Sequence, residues 1–249
     1  KPAHCATNTR RKAYSSLNTD FTMKYIIVGM GNFGGFLAAR LTEMGHEVIG
    51  VDSSEVKIEQ VKDKITHAIL MDATDSVTVK TLPYKDADAV IITIGENVGA
   101  SIMVTAIFKQ LNVERLISRS INDVHETVIK AIGVSEIVHP EEDSAERMAK
   151  RLQMKNVLDS LDLSDDYNVI EVKTPERYVG LTLEETNLRK EYKVTVITII
   201  HEIERTNMLG KKSITKKVLG VVNGDTKIEA GDILVLFGLA KDIQRILEM

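Results

Sequence analysis

From position 24 onward, short runs of continuous apolar residues alternate with stretches whose apolar positions recur at helical spacing. The runs at 25–28, 47–51, 67–71, 89–93, 116–118 and 136–138 are strand-sized, and the stretches between them, 34–44, 54–63, 76–80, 98–110 and 123–131, read as helices. Unbroken apolar runs belong to strands covered on both faces, so six of them separated by helices predict a doubly wound parallel α/β sheet. Gly45, directly after Met44, ends the first helix. Pro140 opens another, with Ala145, Met148 and Leu152 at helical spacing, and Val157, Leu158 and Leu161 continue the apolar supply, so 140–164 is expected to be a connecting or dimer-forming helix. An acidic stretch at 162–166 then marks a boundary near 164, and the period changes. Strands at 167–172, 194–201, 218–223 and 232–237, a short helix at 182–190, a basic loop or hairpin at 205–217, a turn at Asn223-Gly224 and a closing helix at 240–248 predict a small α+β domain. The chain thus reads as a leader, 1–22, a first domain, 23–139, a connector, 140–164, and a second domain, 165–249.

Directly after the first strand run stands Gly29-x-Gly31-x-x-Gly34, with Met30, Asn32 and Phe33 between the glycines, and Asp52 closes the second run. In a strand-turn-helix context this is a dinucleotide-binding fingerprint and makes the sheet Rossmann-like. Gly29 serves the tight turn, Gly31 the approach of a pyrophosphate, and Gly34 the packing of helix on strand. The first amides of that helix, at the positive end of its dipole, suit an anion without help from lysine or arginine. A carboxylate at Asp52 accepts ribose hydroxyls and repels a 2'-phosphate, which favours NAD(H) or an adenine nucleotide over NADP(H). Asp52 with Glu55 also reads as a variant capping box for the next helix.

Other polar groups fall at strand ends on the same predicted edge. Asp72 and Thr74, flanking Ala73, suit an adenine ring or simple helix capping; Gly95 would let a ligand approach the backbone; Arg119 would clamp a phosphate or form a surface ion pair. Catalytic pairs are missing from the sequence: there is no Tyr-x-x-x-Lys, no Gly-x-Ser-x-Gly and no His-Glu-x-x-His. His46, His67, His125, His139 and His201 stand singly near element ends and read as surface or capping residues. Met103, Met148 and Met154 read as core or interface filler. Glu141, with Glu142 and Asp143, forms a favourable acidic first helical turn and is a candidate ligand for a divalent cation.

Composition narrows the partners. A net charge of -4 over 249 residues leaves no basic footprint for nucleic acid. The single cysteine, Cys5, permits neither an internal disulfide nor a thiolate metal site, which fits a reducing cytoplasm. No apolar stretch approaches the ~20 residues of a membrane helix, so any service to a membrane runs through a partner. The leader holds Lys1, Arg10, Arg11 and Lys12 among Ser, Thr and Asn and is expected to be disordered, either as an extension or as the tail of a longer chain, with Met23 a natural start for the folded part.

The runs Val28-Gly-Met-Gly-Asn-Phe-Gly-Gly35, Val51-Asp52 and Met71-Asp-Ala-Thr-Asp75, together with Arg119, resemble the nucleotide-binding regulator domain of potassium transport proteins. Ile137-Val-His-Pro-Glu141 and Tyr178-Val-Gly-Leu-Thr-Leu-Glu-Glu-Thr-Asn-Leu-Arg189 resemble the crossover and C-terminal domain of the same family. Over residues 23–249 the chain is similar to Trk/Ktr-type potassium uptake regulatory subunits, the RCK family of paired TrkA-N and TrkA-C domains. The resemblance implies a ligand sensor without catalytic residues, cytoplasmic and peripheral at the inner face of the membrane. It implies homodimers assembled into an octameric ring beneath an integral-membrane potassium transporter. Gly29 to Gly34, Asp52, Asp72, Ala73 and Arg119 would contact NAD(H) or ATP/ADP, and the C-terminal domain would take a second effector such as cyclic di-AMP. ATP-sensing Ktr members place an arginine where this chain has Asn32, which favours NAD(H) or ADP. The competing readings are a small NAD-dependent oxidoreductase and the cytosolic portion of a longer potassium channel or cation/proton antiporter.

Overall fold

The computed structural model describes residues 22–153, 156–164, 166–206 and 212–248, so the expected leader lies outside the described residues except at its end. The chain divides between Pro140 and Glu141 into two compact units.

The first unit carries strands β1 (Lys24–Val28), β2 (Glu47–Asp52), β3 (His67–Leu70), β4 (Ala89–Ile92), β5 (Leu116–Arg119) and β6 (Glu136–Val138). Between them run helices α1 (Asn32–Glu43), α2 (Glu55–Val61), α3 (Ser76–Val79), α4 (Val98–Gln110) and α5 (Asp123–Ile132). The strands form one sheet in the order β3-β2-β1-β4-β5-β6, parallel throughout. Alternate residues of β1 feed opposite layers: Ile26 and Val28 pack with Ile92, Val104 and Phe108, whereas Ile27 packs with Met30, Ile58 and Val61. Two covered faces are what an unbroken apolar run means, and the doubly wound sheet follows from it. Gly45 adopts φ +95 just past α1, the left-handed stop that its position suggested.

The second unit takes in α6 (Pro140–Gln153) from Glu141 on and builds a five-stranded antiparallel sheet in the order β10-β9-β11-β8-β7. Its strands are β7 (Val157–Asp162), β8 (Tyr167–Lys173), β9 (Thr195–Thr206), β10 (Lys212–Val218) and β11 (Ile233–Leu239), joined by α7 (Leu188–Glu191) and closed by α8 (Ala240–Glu248). Ile170, Val172, Ile199, Leu234 and Leu236 from the sheet meet Leu188, Ile243 and Ile246 from the helices in one core.

Three expectations change here. The helix from Pro140 stops at Gln153, and residues 157–162 are a strand paired with β8, not a continuation of the helix. Asn156 has φ +70, a conformation a helix cannot contain, and β8 offers a free ladder to the residues beyond it. The helix expected at 182–190 shrinks to α7, because Leu183 and Glu184 donate their amides to Thr226 and Gly224 and so follow a neighbouring segment instead of coiling. The strand expected at 218–223 ends at Val218, since Gly220 turns the chain with φ +81. The turn at Asn223-Gly224 is closed by the Thr226 amide donating to the Asn223 carbonyl at 3.1 Å.

Candidate nucleotide site

The edge formed by the C-terminal ends of the parallel strands collects the polar groups of the first unit. At its centre β1 turns into α1 through the three glycines. Gly29 has φ +104, and a Cβ there would lie 2.9 Å from the Ile94 amide nitrogen. Gly34 is tighter still: a Cβ would lie 1.9 Å from the Gly29 carbonyl oxygen and 2.3 Å from Thr93 Oγ1. Around Gly31 a Cβ would meet nothing within 4 Å. Two glycines are therefore demanded by the protein's own packing, and the middle one fronts open space. Gly31 is also the N-cap of α1, with no side chain capping the helix and no acid in its first turn, so the first amides face that space with their positive dipole end intact.

The flanking residues hold this turn open. Asp52 Oδ2 accepts the Met30 amide at 2.7 Å and Oδ1 accepts the Ser54 amide at 2.8 Å. The capping box with Glu55 does not form; Ser54 is the N-cap of α2 and Asp52 is drawn to the glycine turn instead. Met30 is buried with its sulfur against Gly50, so it presents backbone to the edge. Asn32 is exposed and Phe33 half-buried at the start of α1. One strand further out, Asp72 Oδ1 accepts the Thr74 amide at 2.9 Å and the Thr74 hydroxyl at 2.7 Å, and these two donors hold the Asp72 carboxyl below its usual pKa. Asp72 does not cap α3; Asp75 does, accepting from the Val77 amide. Ala73 is buried in the core and offers backbone only.

On the other side of β1 the structure revises one assignment. Gly95, expected to admit a ligand, lies under the guanidinium of Arg119: a Cβ at 95 would be 2.4 Å from Nη1, 2.8 Å from Cζ and 2.9 Å from Nη2. The room that the glycine leaves is filled from within the protein. Thr93, not among the residues expected at this edge, is 2% exposed and donates its hydroxyl to the Gly29 carbonyl at 2.6 Å, with the Val28 carbonyl at 3.1 Å. It is the one hydroxyl in the run Ala89-Val-Ile-Ile-Thr93, which was the available signal. An ion pair of 3.1 Å between Lys57 of α2 and Glu96 of the loop after β4 joins the elements on either side of β1.

The histidines are not uniformly at the surface. His125 is 1% exposed inside α5, where it faces the core one turn before Ile129; its Nδ1 accepts the Ile121 amide at 3.2 Å and burial lowers its pKa. His139 Nε2 meets Glu126 at 3.0 Å, and His201 pairs with the buried carboxylate of Asp232. Met103 and Met148 are half exposed and so are not core, and Met154 lies outside the described residues. Glu141 stands in the first turn of α6, and no group of three or more His, Cys, Asp or Glu able to hold a metal ion occurs among the described residues.

Comparison with known proteins agrees with this geometry. Residues 25–140 match the TrkA-N domain and residues 169–249 the TrkA-C domain. The chain is 35% identical to Ktr system potassium uptake protein C of Bacillus subtilis (strain 168) over 222 residues, 89% of this chain and 95% of that one. It is 31% identical to Ktr system potassium uptake protein A of the same organism, over 89% of this chain and 94% of the relative. Among solved structures it is similar in fold to the GsuK RCK domain, with a TM-score of 0.60 and 16% identity over 94% of this chain and 49% of that one. The GsuK channel bound to NAD gives a TM-score of 0.55 and 16% identity over 93% of this chain and 40% of that one, so the chain spans less than half the length of these neighbours. With a glycine turn open at Gly31 in a TrkA-N domain and a TrkA-C domain after it, the chain belongs to the family of Ktr potassium uptake proteins.

Proposed function

We propose that this chain is a cytosolic nucleotide-sensing regulatory subunit of a potassium uptake transporter. The observation that carries the proposal is the unfilled space at Gly31, set at the uncapped start of α1 while the other two glycines are fixed by internal contacts. An adenine nucleotide placed there would rest its phosphate on the α1 amides, its ribose near Asp52 and its base near Asp72 to Thr74. NAD(H), ADP and ATP all share that half. The GsuK channel bound to NAD, similar in fold, supports the dinucleotide. Asn32 offers no charge to a terminal phosphate, which favours NAD(H) or ADP.

In this reading homodimers build an octameric ring on the inner side of an integral-membrane potassium transporter, and the ligand shifts the population of ring states. Moving a two-state ring from 1:99 to 99:1 takes about 5.5 kcal/mol of preference in total, which eight sites would divide into small shares. Small-angle scattering during titration with NADH, NAD, ADP and ATP tests this. A change in ring dimensions that saturates with one of them is expected; an unchanged profile with all four contradicts it. Turnover of NAD(H) with an oxidisable substrate would favour an oxidoreductase instead.

A second effector site is supported by a cavity of about 540 Å³ in the second unit, lined by Asn187, Arg189, Lys190 and Asn223, by the carboxylate of Glu184 and by apolar residues that include Leu188 and Val196. The two cations outnumber the one carboxylate there, and with two amides and apolar side chains they suit a phosphate-linked nucleotide such as cyclic di-AMP. Arg189→Ala would then weaken cyclic di-AMP binding at least tenfold and leave NADH binding unchanged.

A further inference from the structure

We propose that Asn223-Gly224 is a site of spontaneous modification, at which the Gly224 amide converts the Asn223 side chain to a carboxylate and so weakens the adjoining cavity of the second unit for anions. The consequence for anions rests on the effector reading of that cavity; the modification itself does not. Of the asparagines in the chain, Asn223 is the one that a glycine follows. A side chain on the following residue screens its amide, whereas glycine leaves that nitrogen open to the carbonyl carbon of the asparagine side chain. Because the two groups belong to consecutive residues, the chain itself keeps them within reach.

The turn leaves the reacting atoms unprotected. Thr226 closes it, its amide donating to the Asn223 backbone carbonyl at 3.1 Å. The Thr226 hydroxyl accepts the Asn223 amide at 3.1 Å and donates to Asn223 Oδ1 at 3.0 Å. That second bond draws electrons from Cγ and holds the oxygen, so that Nδ2 is the group left to depart. Gly224 accepts the Glu184 amide at 2.9 Å through its carbonyl, but its own amide donates to no group among the described residues. Both residues are exposed, so water reaches them. The Gly224 nitrogen gives its proton to the solvent and bonds to Asn223 Cγ; the Cγ–Nδ2 bond breaks, and the side-chain nitrogen takes up a proton and leaves as ammonia. Water then opens the resulting succinimide at either carbonyl, giving aspartate or its β-linked isomer, with no change of oxidation state. Either product sets a carboxylate in the wall that Arg189 and Lys190 share. Together with Glu184 it balances the two cations, and the attraction for a phosphate falls.

The test is mass spectrometry of the full chain after incubation in mildly alkaline buffer, read on the tryptic peptide 218–227 that follows Lys217 and ends at Lys227. In wild type this peptide is expected to turn from amide to acid faster than any other that contains asparagine. Gly224→Ala is expected to slow the conversion roughly tenfold or more, as its methyl group screens the nitrogen. That Cβ would lie 3.5 Å from Glu184 Cβ, an ordinary contact, so the variant keeps the fold. A lasting amide in wild type, or equal rates in Gly224→Ala, would overturn the proposal. Asn223→Asp supplies the product charge directly and is expected to weaken cyclic di-AMP roughly tenfold in calorimetry, while Asn223→Gln, which keeps an amide, stays within about threefold. Unchanged affinity in Asn223→Asp, or equal losses in the two variants, would overturn the effect on the cavity. Failure of freshly prepared wild type to bind cyclic di-AMP would instead overturn the effector reading, and the conversion seen by mass would stand apart from it.

Discussion

The two units place their polar strand ends under opposite rules. In the first, six parallel strands all finish at one edge, so Asp52, Arg119 and the loops carrying Gly29, Asp72 and Gly95 arrive together although they are scattered over 91 positions from 29 to 119. In the second, antiparallel neighbours finish at opposite edges, and the cavity beside Leu188 draws mainly on the connections 183–190 and 222–224, with 194–196 at the start of β9 as its one strand end. Parallel topology therefore makes a site readable from strand ends, whereas antiparallel topology hides one in its connections.

The sharpest way to break this contrast is at Gly34. A methyl group there would collide with backbone and with Thr93, so Gly34→Ala should cost on the order of 4 kcal/mol, remove nucleotide binding and lower the melting temperature of the first unit. An unshifted melting curve would mean that the turn is not packed as described. Leu234→Ala in the other unit probes the converse. Leu234 is fully buried in the central strand β11, so about 3 kcal/mol should be lost in denaturant unfolding while NADH or ADP affinity stays within twofold. A large affinity change would tie the site to both units. Thr93→Val keeps the shape but removes the donor to two carbonyls; about 1 kcal/mol should be lost, with weaker nucleotide binding by calorimetry.

The smallest effect concerns pH. Burial lowers the pKa of His125 in the folded chain below its ordinary value near 6.5, so the unfolded chain takes up the proton first. The resulting stability is present above about pH 6.5 and is lost as pH falls below it. Melting temperatures of wild type and His125→Gln, compared between pH 7.5 and 5.5, should show a smaller acid loss in the variant.

How much of this was legible follows from the same contrast. Gly29, Gly31, Gly34 and Asp52 were readable because each answers a steric or charge requirement set by its immediate strand-turn-helix context. The contact of Arg119 with Gly95 was not, since it joins two adjacent strands 24 positions apart and local periodicity carries no cross-strand register. Thr93 stands at the end of an apolar run and reads as plain strand, although it holds the Gly29 carbonyl. In the second unit the apolar residues of 157–162 continue a helical spacing, so the strand there reads as helix, and only the φ of Asn156 interrupts it. A single histidine near a helix start carries no sign of the face it occupies, so His125 reads in sequence as a surface or capping residue although it is buried.

The central claim is that the space before Gly31 holds the phosphate of an adenine nucleotide. Calorimetric titration of NADH and ADP into wild type and Gly31→Asp tests it most directly, because a side chain at 31 meets no internal obstacle and the variant should melt like the wild type. A carboxylate there opposes the phosphate by bulk and by charge, so binding should fall at least a hundredfold in a fully folded protein. Undiminished affinity in that variant would contradict the account.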